Sequence, residues 1–230
     1  QRRHKDRPVS TNWWIRNIRI VVASGLPLVI LLVVVVSNLP TVISRVDDGN
    51  RGARLIEGNG VSLIWAPEGP GWNWKQSWGG YPSWNSIAFY GLPPVGIDKS
   101  TEDKPSYSAS AEEMQSISVC NYLDESGMTL LEQPQNIWRM PTVDELVRSL
   151  VLHGQNAGCS WDGESNRAVC DLNPDKETPL WAPDLAPIYY WAADEWDDEQ
   201  AYYVSFNGWV HTQPKTWGNP RHGYRCVKEP

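Results

Sequence analysis

Between Arg19 and Arg45 the chain runs for 25 residues, Ile20 to Ser44, without a charge, and this run constrains its organisation more than any other feature. As a helix it is long enough to cross a hydrocarbon core about 30 Å thick. A buried core helix is rarely so long and apolar all round. A secretory signal needs a small-residue cleavage site, and Ser37-Asn38-Leu39-Pro40 is a poor one. The expectation is a retained transmembrane helix over 20–44, with Gly25 and Pro27 giving a kink or a late helical start.

Flanking charge orients that helix. Arg2, Arg3, Lys5, Arg7, Arg16 and Arg19 precede it against one acid, Asp6. Excess basic residues belong on the cytoplasmic side, so residues 1–19 read as a basic cytoplasmic arm resting on anionic headgroups. Of 20 basic and 27 acidic residues, 14 and 26 follow this arm, a balance of −12. Such an acidic remainder excludes nucleic acid as its partner. Residues 45–60, rich in Gly, Asn and charge, read as a tether, and 61–230 as an extracytoplasmic domain.

All four cysteines lie beyond the apolar run. An even number in an oxidising compartment implies two disulfides, and three connectivities are open. Cys159 and Cys170 flank an 11-residue step containing Asp162-Gly163, which suggests local closure and leaves Cys120 for Cys226. Two helix starts are legible. Ser110-Ala-Glu-Glu113 and Thr142-Val-Asp-Glu145 are both capping boxes, in which the hydroxyl accepts an N-terminal amide and the Glu reaches back to the cap. The first predicts a helix through Met114, Ile117, Cys120 or Asn121, and Leu123 or Asp124; the second a helix through Val143, Leu146, Val147, Leu150 and Val151, ended by Gly154. Val61–Trp65, Ile188–Trp191, Ala201–Phe206, Trp209–His211 and Tyr224–Val227 read as short strands. Asn207-Gly208 marks a hairpin, since both residues tolerate positive φ.

The helix ending in Cys120-Asn-Tyr-Leu123, the turn Trp138-Arg-Met-Pro-Thr-Val-Asp-Glu-Leu146, the pair Tyr190-Trp191, the strand Tyr202–Gly208 and the closing Arg225-Cys-Val227 stand in a recurring order. In this they resemble the C-type-lectin-like domains of the formylglycine-generating-enzyme superfamily, and more closely the non-enzymatic bacterial Lcl C-terminal-type domains. The resemblance covers about residues 110–230. It implies an α+β, C-type-lectin-like extracytoplasmic domain following one transmembrane helix, with Cys120 paired to Cys226. Closing that loop is worth on the order of 4 kcal/mol in the chain-entropy model. Taken with the orientation from flanking charge, the expected location is a bacterial inner (cytoplasmic) membrane, N-terminus cytoplasmic and domain periplasmic.

The enzymes of that superfamily use two closely spaced redox cysteines shortly before the closing strand, and this chain has none between Cys170 and Cys226. No Gly-x-Ser-x-Gly turn, His-Glu-x-x-His helix or phosphate-binding Gly-rich loop occurs either. No catalytic residue and no cofactor are therefore expected. Asp194, Asp197 and Asp198, in the run 194–199, are a candidate Ca²⁺ site, weighed against a solvated loop joining two strands. Twelve of the 14 tryptophans lie beyond the apolar run. Most suit a core poor in regular structure. Trp72, Trp74, Trp78 and Trp84, among Gly and Pro, are the candidates for an exposed contact surface.

The function these features lead to is a non-catalytic, single-pass accessory subunit of a larger membrane complex, whether respiratory, photosynthetic or transport. Its partners would be the lipid bilayer and other subunits. A membrane-anchored module binding glycan or peptide, with Trp72 or Trp196 in contact, is the alternative. A diverged oxidase is the third reading.

Overall fold

The computed structural model describes residues 48–72, 82–91, 108–177, 180–183 and 187–230. The arm 1–19, the apolar run 20–44, residues 45–47, Trp74 and Trp78 lie outside the described residues.

Arg54–Gly58 (β1) and Val61–Trp65 (β2) form an antiparallel hairpin. Its two-residue turn is Asn59-Gly60, with φ of 50° and 83°, the left-handed pair that matches the twist of the flanking strands. β1 occupies the stretch that reads as tether. Only Ile56 turns inward there, between exposed Leu55 and Glu57, so its composition imitates a linker. Val227–Lys228 (β9) pairs with β2, which brings the two ends of the domain together.

Three short α-helices follow among the described residues: Trp84–Ala88 (α1), Ala111–Ser116 (α2) and Val143–Arg148 (α3). Both capping boxes are formed, Ser110 with Glu113 and Thr142 with Glu145. Both helices stop earlier than the apolar spacing predicts. After α2 the chain breaks at Ile117 and tightens into a 3₁₀ turn, Val119–Tyr122, which sets Cys120 against Cys226. After α3, Val151–Leu152 (β3) turns back onto Gln155–Asn156 (β4). Gly154, at φ 74°, belongs to that hairpin turn rather than to a helix end.

The principal sheet has the order β7-β6-β5-β8. Tyr189–Glu195 (β5), Gln200–Ser205 (β6) and Val210–Pro214 (β7) are antiparallel, and His222–Gly223 (β8) runs parallel to β5. A bulge lies between Trp191 and Glu195, where the register with β6 shifts. Ser205 Oγ holds the β6–β7 turn, donating to Asn207 Oδ1 and accepting from the Trp209 amide.

The expected α+β, lectin-like fold behind a transmembrane helix is corrected by these elements. The described residues are sheet-dominated, their α-helices span five or six residues, and no described helix is long and apolar enough to cross a membrane. The physical reason is competition: the apolar residues beyond each helix end pack better in a turn or strand than in another helical turn.

Two apolar clusters flank the principal sheet and the closing strand. One gathers Trp65, Trp72, Leu146, Trp181, Tyr190 and Val227; the other gathers Trp84, Met114, Trp138, Trp191, Tyr224 and Cys226. Trp65, Trp72, Trp84, Trp138, Trp181 and Trp191 are at most 1% exposed. Each removes on the order of 200 Å² from water, roughly 5 kcal/mol as an upper bound.

Cys120 is bonded to Cys226 across 106 residues, and Cys159 to Cys170 across 11. Chain entropy gives the long closure on the order of 4–5 kcal/mol and the short one about 3 kcal/mol. Replacing Cys120 and Cys226 by Ala is therefore expected to lower Tm by roughly 10–15 °C, and replacing Cys159 and Cys170 to lower it less. Thermal unfolding of the two double variants decides this; equal shifts, or none, contradict it.

Candidate functional site

The candidate contact residues Trp72 and Trp84 are core residues, which corrects their expected exposure. Trp72 Nε1 donates to Tyr190 Oη at 2.7 Å, and Tyr190 Oη donates to the Leu180 carbonyl at 3.0 Å. The Arg225 guanidinium lies 3.5 Å from the Trp72 ring centroid, with Nε donating to Ala66 O and Nη1 to Leu180 O. Burial pushes the Tyr190 hydroxyl far above its ordinary pKa and pulls the guanidinium below its own. Trp84 Nε1 donates to Ala192 O, and the Lys215 ammonium lies 4.9 Å from the Trp84 ring centroid. Tryptophan among Gly and Pro reads alike in a packed loop and on a surface, so composition could not separate the two.

The acidic run is a structural turn. Asp194 Oδ2 accepts from the Val143 amide at 2.6 Å, adding a second cap to the start of α3. Glu195 pairs with buried Lys215 at 2.6 Å. Asp197 Oδ1 accepts from the Glu199 and Gln200 amides, at 2.8 and 2.7 Å. Asp198 is exposed. The three candidate Ca²⁺ ligands thus do not converge, and among the described residues no group of three His, Cys, Asp or Glu side chains is disposed to hold a metal. All four cysteines are in disulfides.

The solvent-facing chemistry gathers elsewhere. Trp161, Tyr202 and Trp196 wall a cleft of about 190 Å³, completed by Glu164, Ser165, Asn166, Val210, His211 and Thr212. Tyr202 meets Trp161 at 5.4 Å between ring centroids and 72° between planes, and Trp196 at 5.8 Å and 89°. Each tryptophan sits on a turn held by the aspartate after it. Asp162 Oδ1 accepts from the Glu164 and Ser165 amides, at 2.9 and 2.7 Å, as Asp197 does from Glu199 and Gln200. Those amides hold the Asp162 carboxyl below its usual range. Trp161 Nε1 donates to Ser165 O at 2.7 Å, which fixes its ring. The Cys159–Cys170 bond braces the base of the Trp161 turn, beside the bridge between Ser160 and Val169. Next to the cleft, Trp209 stacks on His211 at 5.5 Å and 12°, with the Arg167 guanidinium 5.2 Å from the Trp209 ring centroid.

Trp161 and Tyr202 were not singled out from sequence. A signal existed in the repeated dipeptides Trp161-Asp162 and Trp196-Asp197, each an aromatic on an aspartate-capped turn. Their approach to each other depends on strand pairing, which a dipeptide does not carry.

A second cleft, about 490 Å³, is lined by Tyr189, Tyr203, Gln213, Trp217, Asn219 and Arg221, with His222 beside them. His222 is 2% exposed and packs against Tyr189, Trp191 and Tyr203 at centroid distances of 4.8–5.0 Å. Neither ring nitrogen has a hydrogen-bond partner among the described residues. A third cleft, near Asn121, Arg139 and Lys228, is lined by groups engaged internally: Asn121 Nδ2 donates to Gln115 O, and Arg139 pairs with Glu145 and Glu229.

No protein-family model, no curated protein and no solved structure matches this chain.

Burial holds the His222 imidazole down to about 4, below its ordinary 6.5. The unfolded chain therefore binds the proton first. The stability tied to a neutral His222 is complete above pH 6.5 and is lost as pH falls from there towards 4. Tm of the wild type should decline across that window, and His222→Phe should flatten the decline. Parallel Tm-against-pH profiles for the two proteins would contradict this.

Proposed function

We propose that this chain is a non-catalytic recognition module that reads its ligand in the cleft between Trp161, Tyr202 and Trp196. The observation that carries this reading is the cleft itself. Trp161 is fixed by an indole hydrogen bond on its turn, while Trp196, on its own aspartate-held turn, is 59% exposed. A large aromatic left in water is a group free to gain by burial against a ligand. The four cysteines are in disulfides, Asp194 and Asp197 hold a cap and a turn, and Glu195 pairs with Lys215. The order of motifs from Trp138 to Val227, which resembles that of non-enzymatic domains, supports the same reading.

A test titrates the purified full chain, in a maltoside detergent, with organic cations, oligosaccharides and short peptides while tryptophan emission is followed. At least one class should saturate the signal. Trp161→Ala and Trp196→Ala should each weaken that response roughly tenfold or more. A panel without a responder, or a response undiminished in both variants, overturns the reading.

The accessory-subunit reading draws on a different feature. Met128, Leu131 and Ile137, on the loop between Leu123 and Trp138, are 58%, 38% and 40% exposed. Apolar side chains of this kind suit the core of a protein interface. Mild-detergent purification through a tag should then recover a stoichiometric complex, and replacing the three by Ser should dissolve it. Recovery of the chain alone removes this reading.

A further inference from the structure

We propose that the cleft between Trp161, Tyr202 and Trp196 binds a quaternary ammonium group. This deepens the recognition reading and rests on it.

The walls have the arrangement such a group needs. Trp161 and Trp196 stand at 72° and 89° to the Tyr202 ring, so the cleft is a corner of steeply inclined rings rather than one flat platform. A methylated ammonium in that corner can sit within roughly 6 Å of several ring centroids at once, where the ring quadrupoles attract it. A volume of about 190 Å³ suits one compact head group. The walls are in place beforehand, since Trp161 is tied to Ser165 and both tryptophan turns are capped by aspartate. The Trp161 ring therefore has little freedom left to lose on binding, and Trp196 is held through its turn and its contact with Tyr202.

Local charge has the matching sign. Glu164 lines the cleft, and the Asp162 carboxylate, held low by two backbone amides, anchors the turn that presents Trp161. Asp197, Asp198 and Glu199 follow Trp196 directly. The Arg167 guanidinium sits over Trp209 and is not among the lining residues.

Part of the hydrogen-bonding capacity that a sugar would use at this cleft is already engaged internally. A sugar needs donors and acceptors arrayed around a flat ring. Here the Trp161 indole N–H goes to Ser165 O, the Ser165 hydroxyl to Arg167 O at 2.8 Å, and the Thr212 hydroxyl to Gln200 Oε1 at 2.8 Å. A quaternary ammonium has no N–H to satisfy and is indifferent to engaged hydroxyls. It needs only ring faces and a diffuse negative field, and the cleft supplies both.

The same chemistry is presented by free choline and by a phosphatidylcholine headgroup, and the test separates them. The full chain in a maltoside detergent is titrated with choline and with 3,3-dimethylbutan-1-ol, its neutral isostere, while tryptophan emission is followed. Choline should saturate the signal, and the isostere should bind at least roughly tenfold more weakly. Trp196→Ala should raise the choline Kd roughly tenfold, Glu164→Gln roughly threefold. Tyr202→Phe, which keeps the ring, should retain binding and shows that the cleft is intact. Short-chain phosphatidylcholine is then compared with phosphatidylglycerol of equal chain length. A response to choline and phosphatidylcholine assigns a lipid headgroup; a response to choline alone assigns a free cation; either upholds the proposal. Equal binding of choline and its isostere, no choline response, or an unchanged Kd in Trp196→Ala overturns it. An oligosaccharide response lost in Trp196→Ala, without a choline response, overturns the ligand class while the recognition reading stands.

Discussion

The stacking of the Arg225 guanidinium on Trp72, 3.5 Å from its ring centroid, organises the core of this domain. A buried charge costs several kcal/mol unless it is well satisfied, and Arg225 is 0% exposed. Its satisfaction draws distant segments together: the carbonyl of Ala66 after β2, the carbonyl of Leu180, and the Trp72 ring, itself bonded to Tyr190 on β5. Alternation along residues 224–227, the run leading into β9, does the rest. Arg225 and Val227 face one apolar cluster, while Tyr224 and Cys226 face the other. Backbone bonds from Cys226 to Gly71 and between Arg139 and Val227 fix that strand at the centre. The Cys120–Cys226 bond then locks it to the turn after α2.

With the interior held this way, the periphery is free to present side chains. Carboxylates do much of that positioning, through short-range hydrogen bonds to backbone amides. Asp194 caps α3, while Asp162 and Asp197 set the two turns from which Trp161 and Trp196 project. The acidic composition thus has a local structural use. A by-product is an aromatic corner in a negative surround, and that combination leads to the proposed cation site.

Features that depend on a few neighbouring residues were legible in the sequence. Both capping boxes formed because hydroxyl, amide and carboxylate lie within one turn of one another. Asn207-Gly208 marks a hairpin that turns with Gly208 alone at positive φ, 85°, whereas Asn59-Gly60 turns with both residues there. The local disulfide was suggested by its 11-residue step, which left Cys120 and Cys226 to pair. Helix length was not legible. Ile117 and Leu150 have helical spacing, yet each lies beyond the end of its helix.

What the sequence alone determined is therefore the local grammar: where helices begin, where hairpins turn and which cysteines pair. Only the tertiary structure decided which tryptophans are buried and which are offered to solvent. Trp72 and Trp84 went inside, while Trp196 stayed out beside Tyr202 and Trp161. The reason is physical. A capping bond is satisfied within four residues, whereas burial of an indole depends on strands more than 100 residues away, as between Trp72 and Tyr190. Neighbouring residues carry no record of that distance.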